Sequence, residues 1–132
     1  MQIMLDANII VSAILFPQSI ISKMIKHMVL NHKLILSQYT IGEIKEVFHK
    51  KFKNRVYEMD DFLEKLPYEL FSLAEIKYKK YPNIRDVDDL PVLVNAIESS
   101  VDLLVTGDKD FDGMKTKGLK ILKPKEYVDG YM

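Results

Sequence analysis

Three short apolar runs in this chain each stop at a polar residue: residues 2–5 at Asp6, 34–36 at Ser37, and 103–105 at the Thr106-Gly107-Asp108 turn. Between them lie longer stretches whose apolar residues recur at helical spacing. That alternation constrains the fold more than any other feature. Ile20, Ile21, Met24, Ile25, Met28 and Val29 fall on one helical face with Lys23, Lys26 and His27 between them, which predicts a helix ending near Asn31. Residues 8–15 predict a shorter helix stopped by Phe16-Pro17, Ile41, Ile44, Val47 and Phe48 mark the face of a third, and residues 56–66 a fourth that Pro67 ends. Residues 69–76 are expected to form a third strand, Tyr81-Pro82-Asn83 a loop, about 88–99 a helix, and 121–122 a last strand. Strands alternating with helices along the whole length predict an α/β fold. The expected architecture is a three-layer α/β/α sandwich with a central, mostly parallel sheet, residues 1–132 making a single domain.

At 132 residues, 48% of them hydrophobic, the chain can bury one sizeable core. Its 19 basic and 19 acidic residues cancel, so no whole-protein field gathers nucleic acid or membrane. The absence of cysteine excludes a disulfide framework, thiolate metal sites and thiol nucleophiles. His27, His32 and His49 match no zinc spacing, so any metal would be held by oxygen. Asp6 and Asn8 interrupt the apolar N-terminal run, no basic residue precedes it, and no stretch approaches the roughly 20 apolar residues of a membrane span. A cytoplasmic protein without a membrane partner is expected.

In open parallel sheets ligands bind beyond the carboxyl ends of the strands, which makes Asp6, Ser37 and Asp108 candidates by position. Glu43 follows Ser37 by about a turn and a half of helix. Asp86, Asp88 and Asp89 stand where the helix before the 103–105 strand begins. Each also has a bland explanation. Asp86 and Asp88 suit helix N-caps, Thr40 and Glu43 stand at capping-box spacing, and Asp108 suits a turn. Asp6 is the hardest to explain that way, since a carboxylate inside an apolar run must reach a polar crevice or be desolvated. Like-charged carboxylates at about 4 Å repel by roughly 4 kcal/mol at an effective dielectric near 20, so a converging set either shares protons or holds a cation. Carboxylates with water nearby suit Mg²⁺ or Mn²⁺.

In order along the chain, Leu5-Asp6-Ala7-Asn8 with Ser12, then Leu36-Ser37 through Glu43, then Arg85-Asp86-Val87-Asp88-Asp89 with Ala96, then Val105-Thr106-Gly107-Asp108-Lys109-Asp110-Phe111, and finally Ile121-Leu122-Lys123-Pro124, resemble the motifs of PIN domains. The nearest branch is the short bacterial and archaeal proteins of toxin–antitoxin pairs akin to VapC-type toxins. Ala7 departs from the family's usual threonine, and Pro91 and Asn95 vary the helix after Asp89. The resemblance implies a metal-dependent ribonuclease that hydrolyses RNA phosphodiester bonds. Asp6, Glu43, Asp89 and Asp108 would be both the catalytic acids and the ligands of one or two Mg²⁺ or Mn²⁺ ions. Asn8, Thr106, Ser37 and Asp86 would support them, and an antitoxin would be the protein partner.

Lys45, Lys50, Lys51, Lys53 and Arg55 form a basic stretch opposed only by Glu46, and Lys115, Lys117, Lys120, Lys123 and Lys125 form a second. Either is a candidate RNA contact as well as an ordinary solvated face. Apolar residues of the 20–29 and 56–66 helices exceed what one small sheet covers, which is compatible with a homodimer. Two other readings compete with the nuclease. One is a PIN fold that binds RNA or acts as a scaffold without turnover. The other is a phosphotransfer domain, either a haloacid-dehalogenase-like phosphatase, which wants a second Asp where Asn8 stands, or a receiver domain, for which only Lys109 speaks.

Overall fold

The computed structural model describes residues 1–73, 90–112 and 118–132. Asp86, Asp88 and Asp89, the 81–83 loop, and Lys115 and Lys117 lie outside them. Five strands, β1 (Gln2–Leu5), β2 (Lys33–Ser37), β3 (Glu69–Phe71), β4 (Leu103–Val105) and β5 (Lys120–Leu122), form one sheet in the order β3-β2-β1-β4-β5. Every pairing is parallel; Met4 stands beside Ile35 on one side and Leu104 on the other. The helices are α1 (Ala7–Leu15), α2 (Ile20–Asn31), α3 (Gln38–Lys51), α4 (Val56–Lys65), α5 (Leu90–Glu98) and α6 (Pro124–Tyr131). The α/β/α sandwich with a central parallel sheet expected from the sequence is the fold found.

Alternation along the strands divides the core between the two faces. Ile3, Leu5, Leu34, Leu36, Leu103 and Val105 pack with buried residues of α1, α2, α3, α4 and α6. Met4, Ile35 and Leu104 point the other way, onto Val92, Leu93 and Ala96 of α5 and onto Phe111. Because β1 is covered on both faces its buried residues, Ile3, Met4 and Leu5, must be apolar, and burying each of these large side chains contributes about 1.5–3 kcal/mol. α1 is wedged the same way, with six of its nine residues buried, which is why its sequence shows almost no polar face. Among the described residues no single helix is long and apolar enough to cross a membrane.

Two expectations need correction. The third strand, expected over 69–76, ends at Phe71, with Ser72 and Leu73 outside it and residues 74–76 outside the described residues. Its partner β2 stops at Ser37, which pairs with Phe71, and the chain there turns into α3, so no ladder is left to extend. The last strand is followed by a helix, α6, that the sequence reading did not anticipate. Pro124 occupies its first turn, Glu126 accepts a hydrogen bond from the Lys123 N–H at 2.9 Å, and the fully buried Tyr127 fixes it to α2 by a 2.8 Å bond to His27 Nδ1.

Strand order reverses at β1, because the chain moves outward through β2 and β3 and then returns to the other side of β1 as β4. The crevice beyond the carboxyl ends of β1 and β4 is therefore the topological switch point, where parallel sheets offer a ligand site.

Ser37 joins β2 to α3. It is completely buried, and its hydroxyl caps the helix by accepting the Thr40 N–H at 3.0 Å while donating to Thr40 Oγ1 at 3.0 Å. Ser37→Ala is expected to lower the unfolding free energy by about 1–2 kcal/mol, since a cap is lost and a buried hydroxyl loses its donor. Urea denaturation measures this, and a change under about 0.3 kcal/mol would mean that the cap is dispensable.

Candidate active site

Asp6 leaves the end of β1 at the switch point and is only 8% exposed. Its backbone N–H still bonds to Val105 of β4, so the residue is registered to the sheet while its side chain caps α1. Both carboxylate oxygens have protein donors: Oδ1 accepts the Ala7 N–H at 2.7 Å, and Oδ2 accepts the Thr106 hydroxyl at 2.7 Å. Thr106, 1% exposed, stands directly after β4 and also accepts the Asp108 N–H at 3.2 Å. One hydroxyl thus ties the end of β1 to the turn that carries Asp108. Asp108 in turn accepts the Asp110 N–H at 2.9 Å and starts a short 3-10 turn, Lys109–Phe111, whose Phe111 plugs the second core.

Glu43 approaches from the second turn of α3. The capping-box explanation for it fails, because the cap of α3 is Ser37 and Thr40 is consumed in that cap. Tyr39, one turn earlier on the same helix, hydrogen-bonds the Glu43 carboxylate, whereas Oε1 is buried with no partner. A buried, unpartnered carboxylate oxygen is costly, and the observation marks a place where a donor or a cation belongs.

Asp6 feels the charge of Asp108, and Glu43 that of Asp6. Burial pushes the Asp6 carboxyl above its ordinary value of 3.8, against the opposing hydrogen bonds from Thr106 and Ala7, and the charge of Asp108 adds to the rise. Glu43 is likewise raised from 4.5, first by burial and then by the charge of Asp6, with Tyr39 opposing. Asp6 is therefore the group that couples to both of the others. Among the described residues, no three Asp, Glu or His side chains form a group that could hold a metal ion by themselves. The fourth candidate, Asp89, lies outside those residues, as does Asp86. The all-oxygen donor set and the orphaned Glu43 oxygen nevertheless fit a hard divalent ion.

Other candidates fall elsewhere. Asn8 is exposed on the first turn of α1, and the bonds that orient Asp6 come from Ala7 and Thr106. The stretch from Lys50 to Arg55 sits at the far end of α3, whose 14 residues span about 20 Å. There Lys50 pairs with Glu46 at 2.6 Å, and Arg55 bonds Glu58 at 2.7 Å and reaches the carbonyl of Leu15 at the end of α1 at 3.4 Å. Lys45 is exposed along the same helix. His49, Lys50 and Lys51, in the last turn of α3, offset the negative end of its dipole. Sequence reasoning passed over Tyr39, although its spacing of four from Glu43 was the available signal.

Residues 2–110 match the family described as PIN domain. Among solved structures the chain resembles a chain of VapBC2 from Rickettsia felis bound to a DNA fragment from their promoter, with a TM-score of 0.74 and 21% identity, covering 93% of this chain and 98% of that one. None of the curated proteins matches the sequence.

The raised carboxyls carry a stability consequence. The folded protein retains protons that the unfolded chain gives up, so their contribution is whole below the ordinary carboxyl values and is lost as pH rises through the raised ones. Asp6→Asn, which keeps a competent cap, is therefore expected to melt above the parent at pH 7 in EDTA, the difference closing as pH falls towards 3.8. Scanning calorimetry decides the matter; a variant that melts several degrees lower at pH 7 refutes the reading.

Proposed function

Because the chain belongs to the PIN domain family, we propose that it is a metal-dependent endoribonuclease whose reaction is carried by Asp6, Glu43, Asp108 and Asp89. The observation that supports this most is the buried Asp6 carboxylate, held at the switch point with its pKa raised and with Glu43 and Asp108 in its field. Buried carboxylates are commonly paired with lysine or arginine. Among the described residues no ion pair reaches Asp6, Glu43 or Asp108; the five pairs present involve other acids.

Asp6, Glu43, Asp89 and Asp108 would hold one or two Mg²⁺ or Mn²⁺ ions, which when bound lower the pKa of a coordinated water and neutralise charge on a phosphate. The chain's own residues do the positioning. Thr106 fixes the rotamer of Asp6 through a 2.7 Å bond, and Tyr39 orients Glu43 so that Oε1 is left without a protein donor. Water attack on phosphorus in line with the departing 3′ oxygen breaks the P–O3′ bond and leaves a 5′-phosphate and a 3′-hydroxyl. RNA then requires basic contacts near the crevice, since the chain carries no net charge to attract it.

The toxin reading of this nuclease follows from its fold likeness to a chain of VapBC2. A groove of about 620 Å³ between α2 and α4, lined by apolar residues such as Ile25, Val29 and Phe62, with Leu30 83% and Tyr57 81% exposed nearby, suits coverage by a protein partner such as an antitoxin. We place the protein in the cytoplasm, where such an RNA substrate is found.

Purified protein with Mn²⁺ is expected to cleave single-stranded RNA, and Asp6→Asn and Asp89→Asn are each expected to reduce cleavage to background while leaving the circular dichroism spectrum unchanged. Calorimetric titration of the parent should find a Mn²⁺ site that Asp6→Asn weakens at least about tenfold, by loss of a charged ligand. Full activity in both variants removes the proposal, and a parent that neither binds Mn²⁺ nor cleaves RNA points to a binding module.

A further inference from the structure

In a parallel sheet every strand delivers its last residue to the same edge. Here the residues that end or follow the strands are Asp6 after β1, Ser37 at the end of β2, Ser72 after β3, Thr106 after β4 and Lys123 after β5. Lys123 is the only cation among them. It does not stand alone in solvent: it lines a cleft of about 160 Å³ together with Thr106, Asp108, Phe111, Asp112 and Glu126. Its ammonium is 3.2 Å from both oxygens of Asp112, and the two side chains are about half exposed.

We propose that Lys123 is the residue that holds a phosphate of the RNA backbone beside the acidic centre, and that Asp112 occupies the ammonium until RNA displaces it. This rests on the nuclease reading and adds the substrate contact that the reading lacks. Three observations carry it. First, Thr106 and Asp108, which line the cleft with Lys123, belong to the candidate active site, so an anion drawn by Lys123 lies next to the acids and not on a remote face. Second, an exposed lysine–carboxylate pair is worth little in water, so exchanging Asp112 for phosphate costs little. Third, two other basic positions that the sequence offered are placed differently. The Lys50 to Arg55 stretch is about 20 Å along α3 from the end that carries Ser37. Lys120, at the start of β5, bonds through its N–H to Asp102, which precedes β4, and so marks the opposite edge of the sheet.

Lys123 and Asp112 make opposite predictions, which separates a substrate contact from a structural ion pair. In the Asp6→Asn background with EDTA, where RNA stays intact, binding of a short fluorescein-labelled single-stranded RNA is followed by anisotropy over a KCl series. Lys123→Gln should weaken binding severalfold and reduce the slope of log affinity against log salt by about 0.7, one phosphate contact to a single strand. Asp112→Asn should tighten binding about two- to fivefold by freeing the ammonium, an expectation of the same electrostatic origin. Lys23→Gln, an exposed lysine on α2, serves as control and should leave both quantities unchanged. With Asp6 restored and Mn²⁺ added, Lys123→Gln should raise KM more than it lowers kcat, and calorimetric Mn²⁺ affinity should stay within twofold of the parent. If the parent cleaves RNA yet neither substitution moves RNA affinity or salt slope, or both move it the same way, the Lys123 assignment is overturned and the nuclease reading stands. A parent that neither binds nor cleaves RNA overturns both.

Discussion

A carboxylate set into the end of an apolar strand is the constraint around which this structure is arranged. Removing the charge of Asp6 from water costs several kcal/mol unless donors replace the lost hydration. The fold supplies two, the Ala7 N–H at the start of α1 and the Thr106 hydroxyl at the end of β4. The second donor exists only because β1 and β4 are parallel neighbours in register, with Leu5 beside Val105. Sheet topology and site geometry are therefore one fact, and the strand-order reversal at β1 creates the crevice into which the acids project.

Donors alone do not settle the charge. Glu43 keeps one buried oxygen without any partner, and beyond burial the charge of Asp108 raises the Asp6 carboxyl while that of Asp6 raises Glu43. Perturbed carboxyls of this kind concentrate at functional sites. Stability is supplied elsewhere. The face opposite α5 is the thicker one, with α1, α2, α3, α4 and α6 on it, and it contains most of the large buried side chains, among them Phe48, Met59 and Tyr127.

Much of this was legible in the sequence because it was written as interruption. Asp6 breaks an apolar run, and Asp108 follows one, so position alone made them candidates. Glu43 was ambiguous, since Thr40 to Glu43 has the spacing of a cap; only the real cap, Ser37, frees Glu43 from that duty. The part played by Tyr39 was hidden because an aromatic residue near a helix start reads as core. The short β3 could not be read, because its end is dictated by where β2 turns, a nonlocal cause. α6 was missed although Pro124 and Glu126 stood at the right helix-start positions, since the segment after residue 122 carries few apolar residues. The basic stretch of α3 shows a related limit: charge runs are visible in sequence, but the end of the sheet they occupy is not. In the lysine-rich tail, Lys123 looks like its neighbours until topology sets it at the carboxyl edge.

The central claim of the proposal is that these acids, which among the described residues have no basic partner, share a divalent cation. Crystals grown in Mn²⁺, with diffraction recorded at the manganese absorption edge, test it most directly. The account predicts an anomalous peak bounded by carboxylate oxygens of Asp6 and Glu43 with Asp108 close by, and Thr106 still bonded to Asp6. A crevice with no anomalous peak, its acids bonded only to protein groups, would contradict it.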